Sequence, residues 1–159
     1  DVSTAILFGD GAAAAVITAS EEPAIGPVAW GSSGDRGDLI TIDPQRGTLG
    51  MAGREVFRWA SGLAPLAERA CSLAGVTIED LAGFVPHQAN LRIVDALARA
   101  LGVDGVVART GSESGNTVAA SIPLALAQLV EQGELRTGQH VLLFGFGAGL
   151  AYAGQVVRL

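Results

Sequence analysis

Cysteine, aromatic residues and positive charge are all scarce in this chain, and each shortage removes a class of protein. A single cysteine in 159 residues excludes an internal disulfide and a multi-cysteine metal cage, and makes a reducing, cytoplasmic location the default expectation. Aromatic residues make up 5% of the chain, while glycine alone contributes 22 positions. The interior is therefore expected to consist of closely approaching backbones and small side chains, as where helices pack tightly on sheets. Ten Lys and Arg stand against 16 Asp and Glu, for a net charge of -6. That balance argues against general nucleic-acid binding, which needs a basic face to displace phosphate counterions. An anionic partner would have to be held by a local patch.

Long apolar runs are missing as well. None reaches the roughly 18 to 20 residues needed to span a bilayer, so no membrane association is expected. The opening "DVSTAILFGDGAAAAVITAS" carries no basic leader region. It does not begin with methionine and turns apolar within a few residues, so the chain reads as a piece of a longer one. The length suits one domain with one core.

Apolar spacing then divides the chain into elements. "AAAAVITAS" (Ala12 to Ser20), bounded by Gly9-Asp10-Gly11 and Glu21-Glu22-Pro23, predicts a buried strand after a tight turn. "PVAW" and "DLITID" predict short strands joined by turns. Val56, Ala60, Leu63, Ala67, Ala70 and Ala74 recur at helical spacing, with a kink or break expected between Ser61 and Pro65. "LAGFVPH" predicts a buried strand, and "NLRIVDALARALG" an amphipathic helix closed by Gly102. "GSESGNTVAASIPLALAQLVEQG" passes from a polar loop into a helix ending at Gly133, and "QHVLLFGFGAGLAYAGQVVRL" holds two strands joined by a glycine-rich turn. The order points to a layered α/β unit with a sheet covered by helices.

Chemistry concentrates in three places. His87, one of two histidines, follows Pro86 at the end of a predicted strand, where open α/β sheets place reactive side chains. Asn116 sits in "SGNTVAA" between a glycine-rich turn and a helix. From spacing alone, His87 is also readable as a hydrogen-bonded core histidine and Asn116 as a turn or cap residue. Gly145, Gly147 and Gly149 alternate through "FGFGAGL". The pattern lacks the following helix and third glycine of a dinucleotide fingerprint, but such a turn can bring backbone N–H groups to a ligand oxygen. Cys71 falls in a helix near its apolar face and reads as a buried, unreactive thiol. His140 opens a strand and is expected to be a partly exposed edge residue. Arg92 and Arg99 share one helix face, and Arg54, Arg58 and Arg69 share another if the kink is mild. These faces could grip a phosphate or an acidic protein surface, or be ordinary solvated arginines. No metal-ligand spacing is present.

"VPHQANLRI", "GNTVAASIP" and "LLFGFGAGLAYAGQVVRL", preceded by "ILFGDGAAAAVI" and "MAGREVF", resemble in order the C-terminal half of a β-ketoacyl-acyl-carrier-protein synthase III of the thiolase superfamily. The resemblance covers essentially all of residues 1–159. It implies an α/β thiolase-like fold of two similar halves in a five-layer arrangement, with this chain as the C-terminal catalytic domain. It also implies an acyltransferase that joins an acyl-CoA starter to malonyl-acyl carrier protein with loss of CO₂, in fatty acid or polyketide initiation. Such enzymes are usually homodimers, and the resemblance implies no cofactor beyond these substrates.

Within that family His87 matches the histidine and Asn116 the asparagine of a Cys-His-Asn triad, whose two N–H donors stabilise an enolate. The N–H of Ala148 matches a backbone oxyanion donor, with alanine where glycine is common. Asn90 would bond the pantetheine arm or a water, Phe57 would line the entrance tunnel, and Arg92, Arg58 and Arg99 would face acyl carrier protein. The nucleophilic cysteine belongs to the N-terminal half, and Cys71 does not occupy its position, so the isolated chain is expected to be inactive. Two other readings stay open: a related acyltransferase or non-decarboxylating condensing enzyme, and a noncatalytic structural partner subunit.

Overall fold

A computed structural model describes residues 5–159 of the chain. Among the described residues, seven strands and five α-helices follow one another: β1 (Ile25–Ser32), β2 (Ile40–Ile42), β3 (Leu49–Met51), α1 (Gly53–Ser61), α2 (Ala64–Ala74), β4 (Leu81–Pro86), α3 (Leu91–Leu101), β5 (Val106–Val107), α4 (Gly111–Ser114), α5 (Ser121–Glu131), β6 (His140–Gly147) and β7 (Ala151–Arg158). Five strands form one sheet in the order β1-β7-β6-β4-β5. Its β4, β5 and β6 run parallel, whereas β7 lies antiparallel between β6 and β1. β2 and β3 form a separate hairpin.

The helix breaks have local causes. The apolar face over Met51 to Ala74 divides into α1 and α2 at Gly62-Leu63, with Pro65 in the first turn of α2, where its missing N–H breaks no helical bond. Asn90 caps α3 by accepting the N–H of Arg92 at 2.9 Å, and Gly102 closes it at φ 68°. Gly154 of β7 lets α2 approach the sheet, because a Cβ there would lie 3.0 Å from the Phe144 ring and 3.1 Å from Ala70 Cβ.

The single core expected from length is split by the sheet into two. On one face Phe84, Leu142, Phe144 and Val156 pack against Ala67, Ala70 and Cys71 of α2 and Ile93 and Leu97 of α3. On the other, Val85 and Val141 pack against Ala125 and Leu129 of α5. The period of two along β4 and β6 sends neighbours such as Phe84 and Val85 to opposite faces, so both faces of these central strands are covered.

Two expectations fail. Ala12–Ser20 forms no strand and is exposed throughout, with Val16 at 91% and Ile17 at 70%. A strand needs a neighbour to satisfy its backbone groups, and no described strand pairs with this run. Its apolar composition reported a preference for burial without a partner to bury it. His140 is only part-exposed and opens β6 as expected, but β6 lies inside the sheet between β4 and β7. The polar turn before it suggested an edge, whereas strand order follows from the parallel crossover through α5.

No helix among the described residues is long and apolar enough to cross a membrane. Among them no cluster of His, Cys, Asp and Glu is arranged to hold a metal ion.

Candidate active site

β4 and β6 are parallel and adjacent, so their carboxyl ends lie at the same edge of the sheet. His87 follows β4 there, and the Gly147-Ala148-Gly149 turn follows β6. The His87 backbone is tied to β6 by its N–H, which donates to the Phe144 carbonyl at 2.8 Å. Its ring stands edge-on to Phe146, with centroids 5.5 Å apart. Phe146 in turn meets Trp59 of α1, whose indole N–H donates to Ser33 Oγ at 3.1 Å. An aromatic wall thus backs the imidazole and shields it from water. That burial pushes the His87 pKa down from 6.5 to about 4, so the ring is neutral at physiological pH.

The imidazole Nδ1 lies 2.6 Å from the hydroxyl of Ser121, the first residue of α5. Ser121 is 2% exposed, and its oxygen also receives the Gln88 backbone N–H at 3.3 Å. Gln88 braces the loop from within: its amide donates to the carbonyls of Pro86 and Ala108 and accepts from Gly111 N–H. The turn after β4 is therefore fixed by bonds to Ala108, just past β5, and to α4 as well as to β6.

Asn116 lies five residues before Ser121 on the segment that enters α5. Its backbone pairs with Leu7 to Gly9, accepting from Gly9 N–H at 3.1 Å and donating to Leu7 at 2.8 Å. Its side-chain Oδ1 accepts the Val118 N–H at 2.9 Å. Only oxygen can accept from a backbone N–H, so the amide orientation is settled and its NH₂ end is the one turned away from this bond. Asn116 is both the turn residue and a candidate donor.

Ala148 is exposed in the β6–β7 turn. Among the described residues Val118 is the only non-glycine with positive φ, so Ala148 does not sit in the left-handed backbone that would call for glycine. Asn90 is exposed, with its Oδ1 used as the α3 cap. Phe57 is 39% exposed on α1.

Arg54 and Arg58 of α1, Arg69 of α2, and Arg92 and Arg99 of α3 all reach solvent. Among the described residues the ion pairs belong to Arg36, Arg109 and Arg158, leaving these five without an acidic partner. α1 packs on α3, so Arg58 and Arg92 belong to neighbouring helices. Cys71 is buried in the core, and burial raises its thiol from 9.0 to about 11. It is a packing residue by which α2 meets the sheet.

Two residues against His87, Ser121 and Phe146, carry no motif signal of their own in the sequence. Nothing in local spacing signals a contact with a histidine 34 positions away.

Residues 71–159 match the family described as 3-oxoacyl-[acyl-carrier-protein (ACP)] synthase III C terminal. Residues 1–34 match the companion 3-oxoacyl-[acyl-carrier-protein (ACP)] synthase III family. Among curated relatives, a β-ketoacyl-[acyl-carrier-protein] synthase III from Streptomyces avermitilis is 54% identical over 99% of this chain and 52% of its own length. One from Streptomyces coelicolor is 53% identical over the same shares. Among solved structures, a priming β-ketosynthase of a polyketide biosynthetic pathway superposes with a TM-score of 0.94 at 46% identity, covering all of this chain and 52% of that one. The 3-oxoacyl-[acyl-carrier-protein] synthase III of Aquifex aeolicus gives 0.91 at 35% identity, covering 100% and 52%. The chain thus spans about half the length of the relatives it matches. With its fold and two motif regions agreeing, it belongs to the 3-oxoacyl-acyl-carrier-protein synthase III family of thiolase fold.

Proposed function

We propose that this chain is the C-terminal catalytic domain of a decarboxylating β-ketoacyl-acyl-carrier-protein synthase III. It would supply the donors that stabilise the malonyl-derived enolate. The reading rests on one observation: the His87 imidazole is wedged between Phe146 and Ser121 at the carboxyl edge of the sheet, where burial favours its neutral form. A neutral imidazole with its Nε2 protonated donates a hydrogen bond without having to act as a strong base.

In the proposed reaction the bond between the malonyl Cα and its carboxylate breaks and CO₂ leaves. The electron pair passes into the thioester, whose oxygen becomes anionic. Nε2–H of His87 and the NH₂ of Asn116 donate to that oxygen, stronger acceptor in the transition state than in the ground state. The enolate carbon then attacks an acyl thioester, whose carbonyl oxygen is received by the N–H of Ala148, and the enzyme thiolate leaves. That thiolate would come from the N-terminal half that the relatives carry, and Cys71, buried with its thiol pushed up to about 11, is unsuited to the role. Asn90 and Phe57 would contact the pantetheine arm, and Arg58, Arg92 and Arg99 would receive acyl carrier protein. The working unit is a homodimer in the cytoplasm, needing no cofactor besides its acyl-CoA and malonyl-carrier substrates.

The uncovered surfaces support the assignment as a half. Ala29 of β1 enters the core, so its neighbours Val28 and Trp30 point to the opposite face, where they are 45% and 77% exposed. Val16 and Ile17 are exposed as well, at 91% and 70%, and exposed apolar side chains of this kind suit a surface that meets another part of a protein.

The test is the mass of the chain joined to the N-terminal half its relatives carry, before and after incubation with acyl-CoAs. One acyl mass is expected, unchanged by Cys71→Ala, and malonyl-carrier should then release the 3-ketoacyl product. Loss of acylation in Cys71→Ala, or condensation undiminished in His87→Ala, would overturn the reading.

A further inference from the structure

We propose that Ser121 is a positioning residue that selects the tautomer of His87: its hydroxyl donates to Nδ1 and so keeps the ring proton on Nε2. The effect on rate rests on the function proposed above. The tautomer itself rests on geometry.

A backbone N–H can only donate, so the Gln88 N–H at 3.3 Å occupies a lone pair of Ser121 Oγ. The second contact of that oxygen is His87 Nδ1 at 2.6 Å. Were Nδ1 protonated, Oγ would accept twice and its own proton would need another acceptor. The Ser121 hydroxyl has only these two hydrogen-bond partners among the described residues, and at 2% exposure water is no substitute. The pair is satisfied only when the hydroxyl donates to an unprotonated Nδ1. A neutral ring then carries its proton on Nε2.

The chain makes this arrangement rigid. His87 N–H is held by Phe144, Phe146 packs on the ring, and Gln88 is fixed by three hydrogen bonds of its own amide. Ser121 begins α5 directly after the one-turn 3-10 helix Val118–Ala120, which itself follows Asn116-Thr117. One short segment therefore carries the Asn116 amide and also sets which nitrogen of His87 can donate.

The experiment uses the chain joined to the N-terminal half, with ¹⁵N-labelled histidine and malonyl-CoA as the decarboxylation probe. In the parent protein Nδ1 should show the pyridine-type shift and Nε2 the pyrrole type across neutral pH. Ser121→Ala should mix the tautomers and lower kcat by about 10- to 100-fold, the scale seen when an outer partner of a metal-bound histidine is removed, with KM little changed. Ser121→Cys, close in shape with a weaker donor, should give an intermediate tautomer population and an intermediate rate, and serves if the alanine variant fails to fold. An unchanged tautomer and kcat in a folded Ser121 variant would overturn the proposal. A pyrrole-type Nδ1 in the parent would also overturn it. His87→Ala with undiminished decarboxylation would instead remove the functional reading, while the tautomer shifts still judge Ser121.

Discussion

The side chain of Asn116 accepts the N–H of Val118 at 2.9 Å, and Val118 holds φ at 53°. A β-branched residue in left-handed backbone carries a cost of about 1 to 2 kcal/mol. It stands where the chain leaves its pairing with Leu7 to Gly9 and turns toward α5. Such strain persists where surrounding bonds over-determine the backbone, and here it orients a candidate donor.

Replacing Val118 separates the bond from the side chain. Val118→Gly keeps the N–H and accepts positive φ, so condensation should stay within about twofold of the parent. Val118→Pro removes the N–H and forbids the φ, freeing the Asn116 amide; the rate should fall by roughly 10² to 10³, as when an oxyanion donor is lost. Equal rates for the two variants, measured on the chain joined to its N-terminal half, would count against the Asn116 assignment.

His87 makes stability depend on pH with a definite sign. Its folded pKa of about 4 lies below the ordinary 6.5, so between these values the unfolded chain binds a proton that the folded one excludes. The contribution is fully present above 6.5, falls as pH drops toward 4, and levels off below. Its size is on the order of 3 kcal/mol at about 1.4 kcal/mol per pH unit. Denaturant titrations of the parent and His87→Gln should show a shallower slope for the variant in this window. Parallel slopes would mean that His87 is solvated in the native protein.

The arginines without acidic partners on α1 and α3 predict a substrate-dependent effect. Arg92→Glu should reduce kcat/KM for a malonyl group on carrier protein by about tenfold through slower association, and weaken its salt dependence. With malonyl-CoA the change should be much smaller. An equal loss with both donors would place Arg92 at the thioester arm instead of at the carrier.

Much of the fold was legible because its signals are local. The period of Val56, Ala60, Leu63, Ala67 and Ala70 marks a buried helical face, and all five are buried. Pro65 and Gly102 mark the break and the stop because each restricts the backbone wherever it stands. Ala12–Ser20 shows the limit of such signals: composition reports that a segment favours burial, but pairing depends on a neighbour that only the assembled protein provides.

For the candidate site, sequence supplied the residue types and their motifs, placing His87 after a strand and Asn116 before a helix. Tertiary structure decided the rest. Parallel pairing of β4 with β6 brought the ends of two distant strands to one edge, and the turn into α5 put Ser121 against His87. The charge state and tautomer of His87 follow from Phe146 and Ser121, which approach it across the fold, and such long-range contacts leave no period or spacing in the chain to be read.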